Sequence, residues 1–259
     1  MRLKRSRSAQ VNRNPVSDSP DCQCPAAESA DKPRAVVAEL IGASKRYKAA
    51  GGDIVALDRT DLKIHRGELL LIIGPSGSGK TTLLSLLGCV LYPTEGCVCI
   101  NGINTRDLND RQMAELRRKA VGFVFQNFNL IAPLSAEENI MTPLFLAKTP
   151  REILRKKVEA ALSLVGLSNR RKSLPKQLSG GEQQRVAIAR ALVSDPPIIL
   201  CDEPTAALDG KSIEIILQEL RKLADAGKAV AVVTHDMRLA AYADRTIHLE
   251  DGRIVKSST

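Results

Sequence analysis

No run of this chain approaches the about 18 to 20 consecutive apolar residues that a membrane-spanning helix needs, and the N-terminus lacks the apolar core of a secretory signal. The expectation is therefore a protein made and kept in the cytosol. Cysteine is sparse as well: six thiols in 259 residues are too few and too scattered for a disulfide scaffold. Cys89, Cys97, Cys99 and Cys201 lie in apolar contexts and read as buried free thiols. Cys22 and Cys24 form a C-x-C that lacks a second pair of metal ligands. No internal repeat is present, so the length supports one large domain, or a domain with a subdomain.

What is present begins with charge. Thirty-eight Lys and Arg against 29 Asp and Glu leave +9, which suits nucleic acid, acidic lipid or a polyanionic nucleotide. Residues 1–34 mix Arg, Ser, Asn, Pro, Asp and Ala with almost no large apolar side chain. Such a segment cannot bury enough surface to offset its ordering entropy, and it reads as a disordered basic tail ahead of a folded domain at 35–259.

The most informative stretch is 69–82, LLLIIGPSGSGKTT, a short apolar run followed by a glycine-rich turn and a helical pattern. It reads as a phosphate-binding P-loop. Gly74, Gly77 and Gly79 let the backbone approach a ligand closely, so that the N–H groups of Pro75-Ser76-Gly77-Ser78-Gly79 and of the helix start, Pro75 excepted, face phosphate oxygens. Lys80 supplies positive charge to the β- and γ-phosphates of a nucleotide, Thr81 a hydroxyl for a phosphate-bound Mg²⁺, and Thr82 continues into the helix. The loop alone does not separate kinase, GTPase, DNA motor and transporter.

Four short, unbroken apolar strands end at candidate chemistry: 69–73 at the P-loop, 121–125 at Gln126, 198–201 at Asp202-Glu203, and 229–233 at Thr234-His235. Such runs alternating with helices predict an α/β fold with a mostly parallel sheet covered on both faces, and ligands bind outside the carboxyl ends of such strands. The four endings are expected to converge. Before the P-loop, β-type runs at 36–41, 54–57 and 62–64, broken at Gly51-Gly52 and joined by 97–100, predict an antiparallel β subdomain. Helices are expected over 82–90 and 106–119. Residues 136–167 are helical by pattern, with Pro143 and Pro150 as boundaries, and form a helical subdomain at about 127–190.

Asp202 and Glu203 place two carboxylates at the end of a buried strand, where one can hold Mg²⁺ through water and the other can orient an attacking water. A second anion site is expected at Ser179-Gly180-Gly181-Glu182. Ser179 and Glu182 form a capping box, but that leaves unexplained two glycines in a first turn, each costing about 1 kcal/mol relative to Ala. A ligand that approaches closely at a helix N-terminus accounts for them.

With Gly74 to Thr81, Gln126, Leu178 to Gln183, Ile198 to Glu203, Ala207-Leu208-Asp209 and His235 in this order, the chain resembles the ATP-binding cassette (ABC) family over residues 36–255. The resemblance implies a P-loop NTPase core and a head-to-tail homodimer, each ATP lying between one subunit's P-loop and the other's Leu178-Ser179-Gly180-Gly181. It implies Tyr47 as the adenine-stacking residue, Gln126 and Thr81 as Mg²⁺ contacts, Glu203 as general base and His235 as γ-phosphate sensor. Read from the residues alone, Tyr47 is equally a packing residue. Residues 86–96, 122–130 and 177–181 are similar to the lipoprotein-releasing and macrolide-export branch, which implies an integral membrane permease as partner and a place on the inner face of the cell membrane.

The rival reading is a soluble ATPase of the same family acting on nucleic acid or ribosomes. No sustained heptads lie between Lys80 and Asp202, and the chain carries a single P-loop, so no nucleic-acid partner is expected. Beside Gln126, the apolar Phe128, Leu130 and Ile131 either pack under the helical subdomain or line a groove for the permease.

Overall fold

The computed structural model describes residues 22, 24–25, 34–49, 52–206, 208 and 210–258. Two sheets organise them. The first pairs β1 (Val36–Ala49) with β2 (Gly52–His65) as a long hairpin. The next strand, β3 (Leu69–Ile73), belongs to the second sheet, and it is followed by α1 (Lys80–Leu87). The chain then returns to the first sheet with β4 (Glu95–Ile100) and β5 (Ile103–Asn104), giving the antiparallel order β2-β1-β4-β5. After α2 (Asp110–Ala120) come β6 (Val121–Val124), α3 (Ala136–Leu146), α4 (Arg151–Leu164), α5 (Gly180–Leu192), β7 (Ile198–Asp202), α6 (Gly210–Asp225), β8 (Ala229–Val233), β9 (Arg245–Glu250) and β10 (Arg253–Ser258). The second sheet runs β10-β9-β3-β8-β7-β6, parallel except for β10 at its edge.

The parallel strands are apolar at every position because both faces are covered. Along β3, Leu70 and Ile72 enter one core cluster with α1 and the first sheet, while Leu69, Leu71 and Ile73 enter a second cluster with α6. The same alternation divides β7 and β8 between the two clusters. On α6, Ile213, Ile216, Leu217, Leu220 and Ala224 recur at helical spacing and present one face to that second cluster. A third cluster is helical: Ile140 and Leu144 of α3 meet Leu154, Val158, Ala161 and Leu162 of α4, with Val165 just beyond, against Val186 and Ala189 of α5. On its other side α5 sends Ile188 and Ala191 into the second cluster, so one helix ties the helical layer to the sheet.

Three expectations are corrected. Runs 54–57 and 62–64 are parts of one 14-residue strand, because register shifts in the hairpin absorb the intervening polar residues without ending it. Pro143 lies inside α3 and is no boundary; Pro150 is one, as the residue that caps α4. An interior proline costs about 3 kcal/mol in an isolated helix, and here Ile140 and Leu144, buried on either side of it, hold the helix together by tertiary packing. Finally, Cys97 and Cys99 are not isolated thiols: Cys22 lies against Cys97 and Cys24 against Cys99, pairs 75 positions apart in sequence whose Cα atoms are 6.0 and 5.8 Å apart. Cys89 and Cys201 are free and buried as expected, and burial pushes the Cys89 thiol up to about 11. The expectation of a disordered tail falls largely on residues outside those described. Among the described residues no helix is long and apolar enough to cross a membrane.

Candidate functional site

The four strand endings converge. A cavity of about 670 Å³ is lined by Gly74, Pro75, Ser76, Gly77, Gly79, Lys80, Thr81 and Thr82, by Gln126, by Asp202 and Glu203, and by His235, together with Ala56 and Val233. The topology explains this gathering: β3, β8, β7 and β6 are parallel neighbours, so their carboxyl ends all open on the same edge of the sheet.

The P-loop has little freedom in its residue types. At Gly74 a Cβ would stand 2.0 Å from the carbonyl oxygen of Leu249, and at Gly79, with φ +100°, 2.3 Å from that of Ala56. The loop is thus clamped against β9 and β2, with its backbone open toward the cavity. Lys80 Nζ donates to the carbonyl oxygens of Gly74 and Pro75, at 2.8 Å each, and so sits at the mouth of the loop. Ser78 is buried beneath the loop, outside the cavity lining, and its hydroxyl has no hydrogen-bond partner among the described residues.

Asp202 is half-buried at the end of β7. Burial, then the neighbouring Glu203 charge, raise its pKa, while Lys80 and a hydrogen bond from Thr81 oppose the rise. An added cation near Asp202 and Thr81 would relieve that cost. Glu203 has φ +48°, a left-handed conformation unusual for a residue with a Cβ and costing about 1 to 3 kcal/mol. Its backbone N–H donates to Val233 O at 2.9 Å. One carboxylate oxygen accepts from Thr234 Oγ1 at 3.1 Å, and the other lies 3.0 Å from His235 Nδ1. The His235 side chain is exposed, whereas Thr234 is fully buried and its hydroxyl also accepts from the Asp236 N–H at 3.0 Å. Thr234, which holds Glu203, is not singled out by the sequence patterns; its one signal is adjacency to His235 at the tip of an apolar strand.

Other candidates lie apart from this cavity within one chain. Ser179 Oγ accepts from the Glu182 N–H at 3.2 Å and Glu182 Oε2 accepts from the Ser179 N–H at 2.8 Å, the capping box anticipated from sequence. Arg170 adds an ion pair to Glu182, whose pKa is lowered chiefly by the Ser179 backbone hydrogen bond. Ser179, Gly180, Gly181 and Glu182 line none of the cavity. Tyr47 stands exposed on β1, with the Lys45 ammonium 5.5 Å from its ring centre, and it too is outside the lining. Ala207 and Asp209 fall outside the described residues. After Gln126, Leu130 packs against the third cluster, Ile131 is exposed and Phe128 is half-buried with φ +56°. Arg190 of α5 donates to the carbonyls of Phe128 and Asn129 at 2.7 and 2.6 Å, so the segment after Gln126 is pinned to the helix that starts at Gly180.

Comparison with known proteins agrees with this geometry. The profile of the family described as ABC transporter matches residues 57–206. An uncharacterized ABC transporter ATP-binding protein of Methanocaldococcus jannaschii, MJ0796, is 48% identical over 221 residues, which are 83% of this chain and 94% of that one. The macrolide export ATP-binding/permease protein MacB of Rhodospirillum rubrum is 46% identical over 88% of this chain, and the match spans only 35% of MacB. A solved dimer of the MJ0796 cassette in a post-hydrolysis state, bound to ADP and Pi, superposes with a TM-score of 0.80 at 46% identity, covering 86% of this chain and 98% of that chain.

Proposed function

Because the chain belongs to the ABC transporter family and is an ATPase of its ATP-binding cassette type, we propose that it is the energy-coupling cassette of an exporter or lipoprotein-releasing machine and works with a membrane permease. The observation that carries this is the convergence of Gly74 to Thr82, Gln126, Asp202, Glu203 and His235 on one cavity. The close match to the cassette portion of an export ATP-binding/permease protein, covering about a third of it, supports the permease partner and a location against the inner face of the membrane. MJ0796 and MacB are both transporter proteins, which disfavours an action on nucleic acid or ribosomes.

In this reading the P-loop amides and Lys80 hold the phosphates of ATP, and Tyr47 meets the adenine. Thr81, Gln126 and Asp202 are the oxygen donors that would hold Mg²⁺, which would supply positive charge to the phosphates. Glu203, held by Thr234 and His235, orients a water toward the γ-phosphorus and takes its proton; His235 then faces the γ-phosphate. Ser179, Gly180 and Gly181 line none of the cavity of their own chain, so they serve that of a second copy. Their pinning to the Gln126 segment through Arg190 supplies a route from nucleotide to helical layer.

Mixing two inactive chains tests the composite site. Lys80→Ala disables one P-loop and Ser179→Arg one capping segment, so a mixed dimer retains one intact interface. Hydrolysis should reappear on mixing, reaching about a quarter of wild type at equal proportions if dimers form at random and the two interfaces act independently. No recovery at any ratio would refute shared sites.

A further inference from the structure

The four cysteines at 22, 24, 97 and 99 lie far from the nucleotide cavity and no part of ATP hydrolysis uses them. Cys97 and Cys99 alternate with Val98 and Ile100 along β4. The latter two enter the first core cluster, so the cysteines face the other side of the sheet, where they are 0% and 3% exposed. What covers that side is the segment carrying Cys22, Cys24 and Pro25. On β4 the C-x-C supplies two thiols from one face of the strand. The Cα atoms of Cys22 and Cys97 are 6.0 Å apart, and those of Cys24 and Cys99 are 5.8 Å apart. Cys22 stands beside Cys97 as a fourth cysteine, and the Sγ atoms of Cys24, Cys97 and Cys99 all lie within 4.8 Å of one another. Among the described residues this is also the one group of three or more His, Cys, Asp or Glu side chains close enough to share an ion.

We propose that Cys22, Cys24, Cys97 and Cys99 form a tetrathiolate zinc site that clasps the N-terminal segment onto the antiparallel sheet. A tetrahedral Zn²⁺ with bonds of about 2.3 Å needs sulfurs about 3.8 Å apart, a spacing that the Cα separations of 6.0 and 5.8 Å allow once the side chains turn about an ion. The donor set is all thiolate, so it selects a soft ion over Mg²⁺ or Ca²⁺, and sulfurs this close surround a single ion better than a multi-iron cluster. The alternative occupant of the same geometry is the pair of disulfides. An ATPase must work where ATP is, in a compartment that keeps thiols reduced, and there four converging thiols are a metal site before they are two cystines. That step rests on ATP hydrolysis by this chain; the geometric argument does not. On binding, four S–H bonds are exchanged for four Zn–S bonds and the protons leave to solvent. Asn104 of β5, opposite Cys99 in register, donates to the Cys22 carbonyl at 3.5 Å and supports the segment from below.

The full chain, expressed in zinc-supplemented medium and purified without chelator in the presence of reductant, should contain about one zinc per chain by elemental analysis. Its non-denatured thiols should be protected from a thiol reagent until the metal is stripped. The double variant Cys22→Ser/Cys24→Ser, which changes no residue of the core or the cavity, should lose all the zinc and keep ATPase activity within twofold of the parent. Replacement of zinc by Co²⁺ in the parent should give the intense visible bands of tetrahedral cobalt thiolate, whether or not the variant folds. A metal-free chain would overturn the site, whether it is lighter by four hydrogens, as two disulfides require, or has all six thiols free. So would iron in place of zinc, zinc retained by the double variant, or cobalt spectra without thiolate bands. None of these readouts depends on hydrolysis, so an inactive chain that holds zinc would count against the ATPase reading alone.

Discussion

The two sheets bury themselves in different ways. In the parallel sheet both alternating sets of side chains enter a core cluster: Leu70 and Ile72 on one face, Leu69, Leu71 and Ile73 on the other. In the antiparallel sheet one set does, joined only by Val37 beside a register shift at the start of β1. Ala38, Leu40, Val98 and Ile100 face the core, whereas Glu39, Ile41, Cys97 and Cys99 face outward, with Glu39 paired to Lys63 at 3.2 Å. A strand buried on both sides has no surface left except its ends, and the chemistry gathers there. A strand with an outward face can instead be covered by a distant piece of chain, and there the cysteines gather.

This asymmetry predicts where substitutions hurt. The largest effect belongs to the end of β7: Glu203→Gln removes the proposed base and should slow turnover by about 10²- to 10⁴-fold while ATP still binds and the dimer accumulates. Single-turnover hydrolysis beside nucleotide binding separates the two, and a variant that turns over at the parent rate would remove Glu203 from that role. Next come the sheets themselves. Ile72→Ala, at a fully buried position of β3, should cost about 2 to 5 kcal/mol in chemical unfolding, whereas Ile41→Ala on the outward face of β1 should cost about 1 kcal/mol. Equal losses would show that the outward face is as much a core as the inward one.

A smaller and more selective effect is expected at Phe128, half-buried after Gln126. Phe128→Asp should leave basal hydrolysis and melting temperature of the isolated subunit near those of the parent and abolish stimulation by the permease. If the isolated subunit unfolds instead, Phe128 belongs to the core with Leu130. The smallest effect is expected from the N-terminus: deleting residues 1–34 should change turnover by no more than about twofold, roughly 0.4 kcal/mol in barrier, since its described residues, Cys22, Cys24, Pro25 and Arg34, line none of the cavity. A tenfold loss would mean that the outward face of the antiparallel sheet is coupled to the site.

Much of the catalytic region is legible in the amino-acid sequence. Unbroken apolar runs of four or five residues mark β3, β6, β7 and β8, and each ends at a residue type that phosphate or metal chemistry needs. The α4 face of Leu154, Val158, Ala161 and Leu162 is legible from its helical period, and all four are buried. Legibility fails where a local signal is outvoted. Pro143 is a breaker by its own chemistry, yet α3 continues through it. The polar interruption between 57 and 62 is absorbed by a hairpin partner. Thr234 carries no motif, and its link to Glu203 exists only because β7 and β8 are neighbours.

The amino-acid sequence by itself determined the P-loop, the carboxylate pair, the capping segment and the ABC resemblance, since each depends on residues close together in the chain whose backbone conformation and chemistry are set locally. Convergence of Gln126, Asp202, Glu203 and His235 on the P-loop was expected from the strand endings, and tertiary structure supplied the strand order that brings them to one cavity, which Ser179 to Glu182 do not line. Tertiary structure alone decided that Cys22 and Cys24 meet Cys97 and Cys99. Each C-x-C is half a site, and a contact across 75 positions leaves no local trace in either half: it arises from covering the outward face of β4.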